Sequence, residues 1–400
     1  MISLVRYSAL LVRPDLKTAL VASIIGRLPI GLTGLSILLL AQEATGSYRS
    51  AGAVAAAYVV GLACLAPVLG RLIDRSGPRG VLLWSAVAFP AALVAMLAAV
   101  RTQAPIEVAM LGAFAAGASF PPITVCMRTF FRRRLAEESL LATAYSLEAV
   151  LIETIFIVGP VLVSLFVAYA SASAAVLFAA ACGVTGTMLF LRSPALRGWQ
   201  IEAHGARGMF GPLAEPGFPT LFVVILGYSA AFGLVEIGVT AYAAERGTPA
   251  SAGILLGLMS AGSAVGGLAY GSRSWRLPLA RQFAIALFVL GAGVALLAMP
   301  LHPWWFAIAS IVAGIVMAPT LTIQSMLVAR NASSRHMTEA FTWSSTGLLA
   351  GVGGGIAIGG WLIERWDSSA AFLAGTVAAS SAGALAVVFL RADRRVNVPG

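Results

Sequence analysis

The chain is short of everything a soluble surface requires. Only 10% of its 400 residues are charged, against 59% hydrophobic, and the mean hydropathy is +0.92. A water-soluble chain carries about a quarter of its residues as charges, so a soluble globular fold is excluded. Cysteine is scarce: Cys64, Cys126 and Cys182 all fall inside apolar runs, which argues against structural disulfides. The three histidines, His204, His302 and His336, stand isolated at loops or run ends. Neither zinc-ligand spacing nor a nucleophile–base pair is present, so no metal, cofactor or enzymatic activity is expected. Lysine is nearly absent, and the net charge of +10 rests on arginine. The Ala- and Arg-rich, Lys-poor usage suggests a high-GC genome.

What the chain has is apolar length. Twelve runs are near or above the roughly 18–20 residues that cross a bilayer. They are 18–41, 50–70, 80–100, 104–127, 139–168, 171–191, 218–243, 251–271, 281–300, 303–328, 338–363 and 369–390, numbered here as spans 1 to 12. Hydrocarbon offers no partner for backbone polar groups, so each must be a helix. The expectation is an all-α, multi-pass membrane protein. The first run is of span length and contains Arg27, so it reads as an uncleaved anchor, not a signal peptide.

The basic residues are sorted by loop. Of the 26, 21 fall on one side, at the termini and the even-to-odd connections, including Arg6, Arg13, Lys17, Arg71, Arg75, Arg79, Arg128 and Arg132 to Arg134. The other side has Arg49, Arg101, Arg246 and Arg365, and Arg27 lies within span 1. By the positive-inside rule both termini are cytoplasmic, in a bacterial-type cytoplasmic (inner) membrane. The charge is therefore a topology signal, and nucleic acid is not an expected partner. The lipid bilayer is.

The chain also repeats itself. At an offset of 201, Gly26 matches Gly227, Ser50-Ala51-Gly52 matches Ser251-Ala252-Gly253, and Gly61, Gly70 and Arg75 match Gly262, Gly271 and Arg276. At a slightly shorter offset, Ala116-Gly117 and Pro122 match Ala313-Gly314 and Pro319. The shared order implies a duplicated unit. Twelve helices in two pseudo-symmetric six-helix bundles follow, residues 1–191 and 218–400, joined by a cytoplasmic linker over 192–217.

Between spans 2 and 3, residues 70–79 read G-R-L-I-D-R-S-G-P-R. Gly70, Asp74, Arg75, Gly77 and Arg79 form G-x-x-x-D-R-x-G-x-R, which resembles the loop signature of the major facilitator superfamily of secondary transporters. The last basic position of that signature is Gly80 here, and the second-half copy has Trp275 in place of Asp74. The resemblance implies two six-helix halves rocking about a midplane site. It also implies that Asp74 faces the start of span 11, near residues 335–339, with Arg75 and Arg79 holding its carboxylate. Gly159-Pro160 in span 5 resembles the centre of the superfamily's antiporter signature, although the trailing glycines are missing. The mid-span-4 arginine of drug–proton antiporters is missing too; Ala113 stands near its place.

Four ionisable residues lie well inside spans: Arg27, Glu148, Glu153 and Glu236. Burying any of them in hydrocarbon is costly, which marks them for function. Arg27 and Glu148 both lie about 15 Å deep at 1.5 Å per residue, so they are expected to pair. Glu153 is turned about 140° from Glu148, so the two acids cannot share one partner. One should meet Arg27 and the other the cavity or the second half. A carboxylate that loses and regains an arginine during rocking binds and releases a proton. Glu148, Glu153 and Arg27 are thus the proton-coupling set. Arg27, Glu236, Tyr228, Gln324, Trp343 and Ser344 are the substrate-binding set, and Gly159-Pro160 is a helix kink. The expected function is proton-coupled export of a small, amphipathic molecule by a monomer, with protons as the second ligand. The alternatives are proton- or anion-coupled import of a carboxylate-bearing metabolite, and a non-transporting sensor on the same fold. An importer of acids should show more cavity arginines than Arg27 alone.

Overall fold

The computed structural model describes residues 4–193, 196, 199, 211–248, 251–299 and 302–396. Most of the expected linker, including Arg197, His204 and Arg207, lies outside the described residues. Twelve helices are long and apolar enough to cross a membrane, and no strand occurs among the described residues. Each sequence run maps to one of them, usually inside longer helical bounds. Span 4 shows why. Its apolar run stops at 127, but its helix continues to Arg134. Arginines in a last turn favour the negative end of the helix dipole, so they extend the helix where hydropathy alone would end it.

Three spans are broken near their middles. Span 1 is Pro14–Arg27 followed by Pro29–Thr45, span 4 is Ile106–Ala118 then Ile123–Arg134, and span 10 is Pro303–Gly314 then Met317–Asn331. A proline ring clashes with the carbonyl four residues earlier and lacks an N–H for it. In a continuous helix Pro122 would strike Ala118, the residue at which the outer segment of span 4 ends, and Pro319 would strike Ile315, in the span-10 break. Spans 5 and 7 run unbroken over Glu138–Tyr169 and Phe218–Glu245.

The repeat has a physical counterpart in helix crossings. A Cβ on Gly61 would meet the Phe114 carbonyl oxygen, and one on Gly117 would meet that of Tyr58. In the second half Gly262 faces the Ile311 carbonyl and Gly314 faces that of Met259. Met259 and Ile311 are the repeat positions of Tyr58 and Phe114 at the two offsets. The same close crossing thus builds spans 2 and 4 in one half and spans 8 and 10 in the other.

The halves meet along span 2 with span 11, and span 5 with spans 8 and 10. The inner segment of span 4 also touches spans 10 and 11, whereas the outer segments of spans 1, 4 and 10 pack chiefly against their own halves. Hydrogen bonds across the seam gather toward the end that carries the basic loops. Thr143 Oγ1 donates to the Gly271 carbonyl at 2.6 Å, Ser146 Oγ to that of Gly267, and Arg132 Nε to that of Ala329 at 3.1 Å. The bundle is closed at this basic end. At the opposite end Trp304, Trp305, Trp361 and Trp366 are exposed, as an aromatic belt at a membrane interface would be.

Replacing Gly117 or Gly314 by Val drives a side chain into the facing backbone. Each substitution is expected to destabilise the protein by about 1–3 kcal/mol. A lowered midpoint of thermal unfolding in detergent checks this, with Gly253→Val, whose Cβ would meet nothing, as the neutral control.

Candidate transport site and gate

At the basic end, span 2 delivers Asp74 to the start of the span-11 helix. The first residues of a helix have free N–H groups that want an acceptor. His336, in the N-cap position, supplies no side-chain cap. Asp74 supplies it from another span: its Oδ1 accepts from Thr338 N at 3.1 Å and its Oδ2 from Glu339 N at 2.8 Å. These are the second and third N–H groups of the turn, the usual targets of an N-cap side chain. The contact joins the two halves. Gly70 makes the approach possible, since a Cβ there would strike the Thr342 side chain and Glu339. Gly77, at φ +82°, adopts the left-handed backbone that lets the chain turn at once into span 3.

The arginine at this gate differs from the expected one. Arg75 and Arg79 are exposed, and Arg71 makes the cross-seam ion pair, its Nη2 donating to Glu339 Oε1 at 2.6 Å. Helix geometry is the reason. Arg71 lies three residues before Asp74 and shares its face, Arg75 is rotated about 100° away, and Arg79 lies beyond the Gly77 turn. Arg133 stands within electrostatic reach of Asp74. Glu215 of the linker also holds the start of span 11, accepting from Ser333 N at 2.7 Å and lying 2.6 Å from His336 Nδ1.

Deeper in the bundle, Arg27 ends the inner segment of span 1, just before its break. Arg27 and Glu148 are each 1% exposed, with Nη2 and Oε1 3.6 Å apart, the expected pair. A third member comes from span 4. Arg128 Nε donates to the same Glu148 Oε1 at 2.9 Å, with 12% of its side chain exposed. By hydropathy Arg128 groups with the loop arginines, because the apolar run ends one residue earlier. The available signal was its spacing, a full turn before Arg132 on the same helix. Among described residues, all three Arg27 nitrogens and Glu148 Oε2 are buried without a hydrogen-bond partner. Tyr145 OH donates to the Arg128 carbonyl at 3.2 Å.

The second half presents a neutral counterpart. Tyr228 OH donates to Gln324 Oε1, and Gln324 Nε2 donates to Ser344 Oγ at 2.5 Å. Tyr228 and Ser344 are the repeat positions of Arg27 and Glu148, and Gln324 falls within a residue of that of Arg128. Spans 1, 4 and 5 thus place two arginines and a glutamate where spans 7, 10 and 11 place a tyrosine, a glutamine and a serine. Arg128 lies within electrostatic reach of Tyr228, which brings the triads to a common seam.

The remaining expected residues are dispersed. Glu153 turns to the second half, where Ser263 Oγ donates to its Oε1 at 2.8 Å. The same Ser263 oxygen accepts from Ala318 N at 3.0 Å, an N–H set free near the break in span 10. Glu236 is exposed on span 7, about 12 Å along the helix from Tyr228. Trp343 stands edge-on to Phe222, its indole N–H buried without a partner. Gly159 is a crossing point, where a Cβ would strike the Gly31 carbonyl of span 1, and Pro160 sits within a continuous helix. The three cysteines are free, and among described residues no histidine, cysteine or acid cluster could hold a metal.

Twelve spans in two repeats, a seam closed at one end and buried polar groups at broken helices fit a secondary transporter. The sequence model of the Major Facilitator Superfamily matches residues 19–245 and 218–399, and the chain belongs to that family. It is therefore a multi-pass membrane transporter of a small molecule, working by alternating access, and not an enzyme. A bacterial homologue of the iron transporter ferroportin, in an outward-facing state, has a similar structure, with TM-score 0.75 and 15% identity over 94% of this chain and 99% of that one. The human organic anion transporter MFSD10 gives 0.72 and 16% over 94% and 99%. The E. coli fucose:proton symporter FucP, in its outward conformation, gives 0.67 and 14% over 93% and 98%. At these identities the likeness is one of fold. No curated protein matches the sequence.

Asp74→Asn keeps one acceptor but removes the charge that faces the helix dipole. At about 1–2 kcal/mol for such a cap, the closed-to-open ratio at the basic end should fall about ten-fold. Single-cysteine reporters on the basic-end halves of spans 5 and 8, in a background without the native cysteines, should label faster in the variant. Unchanged labelling would remove Asp74 from the gate.

Proposed function

We propose that this chain is a proton-coupled secondary transporter in a cytoplasmic membrane, both termini in the cytoplasm, with Glu148 as the proton carrier. One observation supports this most: Glu148 is buried between Arg27 and Arg128, on the seam that must part when the halves rock. In the closed seam both arginines face its Oε1. Once they withdraw, an ionised carboxylate in a low dielectric is unfavourable, and a proton from the newly opened side neutralises it. Glu153 is the second titratable group on the seam, and its bond to Ser263 makes its protonation sensitive to the same motion.

With the basic end cytoplasmic, the closed gate of Asp74 and Arg71 leaves the protein facing outward. One chain supplies both halves, so the monomer is the working unit. The second reading is proton-driven export of a small amphipathic molecule, supported by Gly159-Pro160. That support is reduced, because the Gly31 crossing accounts for Gly159 by packing alone.

The test uses purified protein in liposomes with a trapped pH-sensitive dye, challenged with a compound panel. Glu148→Gln should lose compound-dependent proton movement while retaining exchange of substrate for substrate. Glu153→Gln should slow both. Substrate movement indifferent to the pH gradient and to both substitutions would overturn proton coupling and leave the carboxylates as packing partners.

A further inference from the structure

The central seam holds more positive charge than it can neutralise. Arg27, Arg128 and Glu148 are 1%, 12% and 1% exposed, two guanidiniums against one carboxylate. Arginine cannot shed its proton in a protein, so the excess charge calls for water, backbone carbonyls or an anion, and an anion alone cancels it. Glu148 does not saturate the pair. It uses a single oxygen, Oε1, for both arginines, at 3.6 and 2.9 Å, and its Oε2 is buried without a hydrogen bond. The Arg27 guanidinium, a planar fork suited to two parallel bonds to an oxyanion, makes no hydrogen bond at all. Thr124, one turn before Arg128 and on its face, likewise has a buried hydroxyl without a partner. Across the seam, Tyr228, Gln324 and Ser344 bond to one another and bring no charge.

We infer that the substrate is a small organic anion whose oxyanion group displaces Glu148 from the Arg27–Arg128 pair. This rests on the proton-coupled reading above and names its substrate class. The charges balance. Two arginines and ionised Glu148 total +1 when the carrier is empty. With a monoanion on the arginines, Glu148 takes one proton from the water on the same side, and the total is again +1. Substrate and proton then cross together, one to one and without net charge, which is the reverse of the antiport suggested by Gly159-Pro160. A cationic substrate would add charge to a seam already in excess, and the displaced carboxylate would gain nothing from it.

Thermal unfolding of the full-length protein in detergent tests the site directly. The probes are acetate, gluconate, glycerol 3-phosphate, p-toluenesulfonate and inorganic phosphate, with tetraphenylphosphonium as cation and mannitol as neutral control. At least one anion should stabilise wild type. Its apparent affinity should rise about ten-fold or more in Glu148→Gln, where the competing charge is gone, and fall about ten-fold or more in Arg128→Gln. Arg128→Lys keeps the charge and should retain folding and weakened binding, which separates a lost site from a lost fold. If no anion in the panel stabilises Glu148→Gln, the inference is overturned.

The anion with the largest shift then enters liposome transport, with a potassium–valinomycin clamp on voltage. Uptake that acidifies the lumen and ignores the clamped voltage supports the cotransport step. Anion exchange without proton movement would keep the substrate class and sink proton coupling. Proton movement driven by tetraphenylphosphonium, and by no anion, would keep coupling and sink the anion.

Discussion

The constraint beneath this structure is that hydrocarbon provides no partner for a polar group. Twelve helices satisfy the backbone internally, and two departures from regular helix are answered by a neighbour. Where span 10 breaks near Ile315, Ala318 N is taken by Ser263 of span 8. Where the span-11 helix begins without a cap of its own, Asp74 of span 2 supplies the acceptors. Both repairs link different helices, and the second links different halves. A partner borrowed across a seam is also a partner that can be returned, so the demand that builds the fold provides its moving contacts.

The breaks and the charges belong together. Arg27 stands at the break of span 1, Arg128 follows Pro122 of span 4 by six residues, and Gln324 follows Pro319 of span 10 by five. Proline opens these helices at mid-membrane, where irregular backbone is tolerated only inside the protein. Duplication placed such openings in both halves, and divergence then charged one and left the other neutral. Tyr228, Gln324 and Ser344 occupy the places of Arg27, Arg128 and Glu148 and close into their own hydrogen-bonded chain. The first half holds the buried charges, and the second faces them with neutral polar groups.

Glycine spacing shows how the repeat survived with little identity. Gly61 with Gly117, and Gly262 with Gly314, each let one helix backbone touch the other's carbonyl. A side chain at any of the four would part the helices, so these positions persist while the surrounding apolar residues are freely exchanged.

Composition and run length were enough for the class and the span count, because the bilayer imposes those on any sequence, one segment at a time. The pairing of Arg27 with Glu148 was legible as well, since equal depth on neighbouring helices is simple arithmetic at 1.5 Å per residue. The turn of Glu153 toward the second half followed from the helical angle. Arg128 was not legible. Hydropathy reads where a helix leaves the apolar slab, but not whether its next residue points out to water or back into the bundle. For the same reason the arginine that pairs across the seam is Arg71, on the face of Asp74, and not Arg75 beside it in sequence. Chain order and burial energy are written in the residues singly; which face of each helix meets which neighbour depends on all twelve packing at once, and only the tertiary structure decided that.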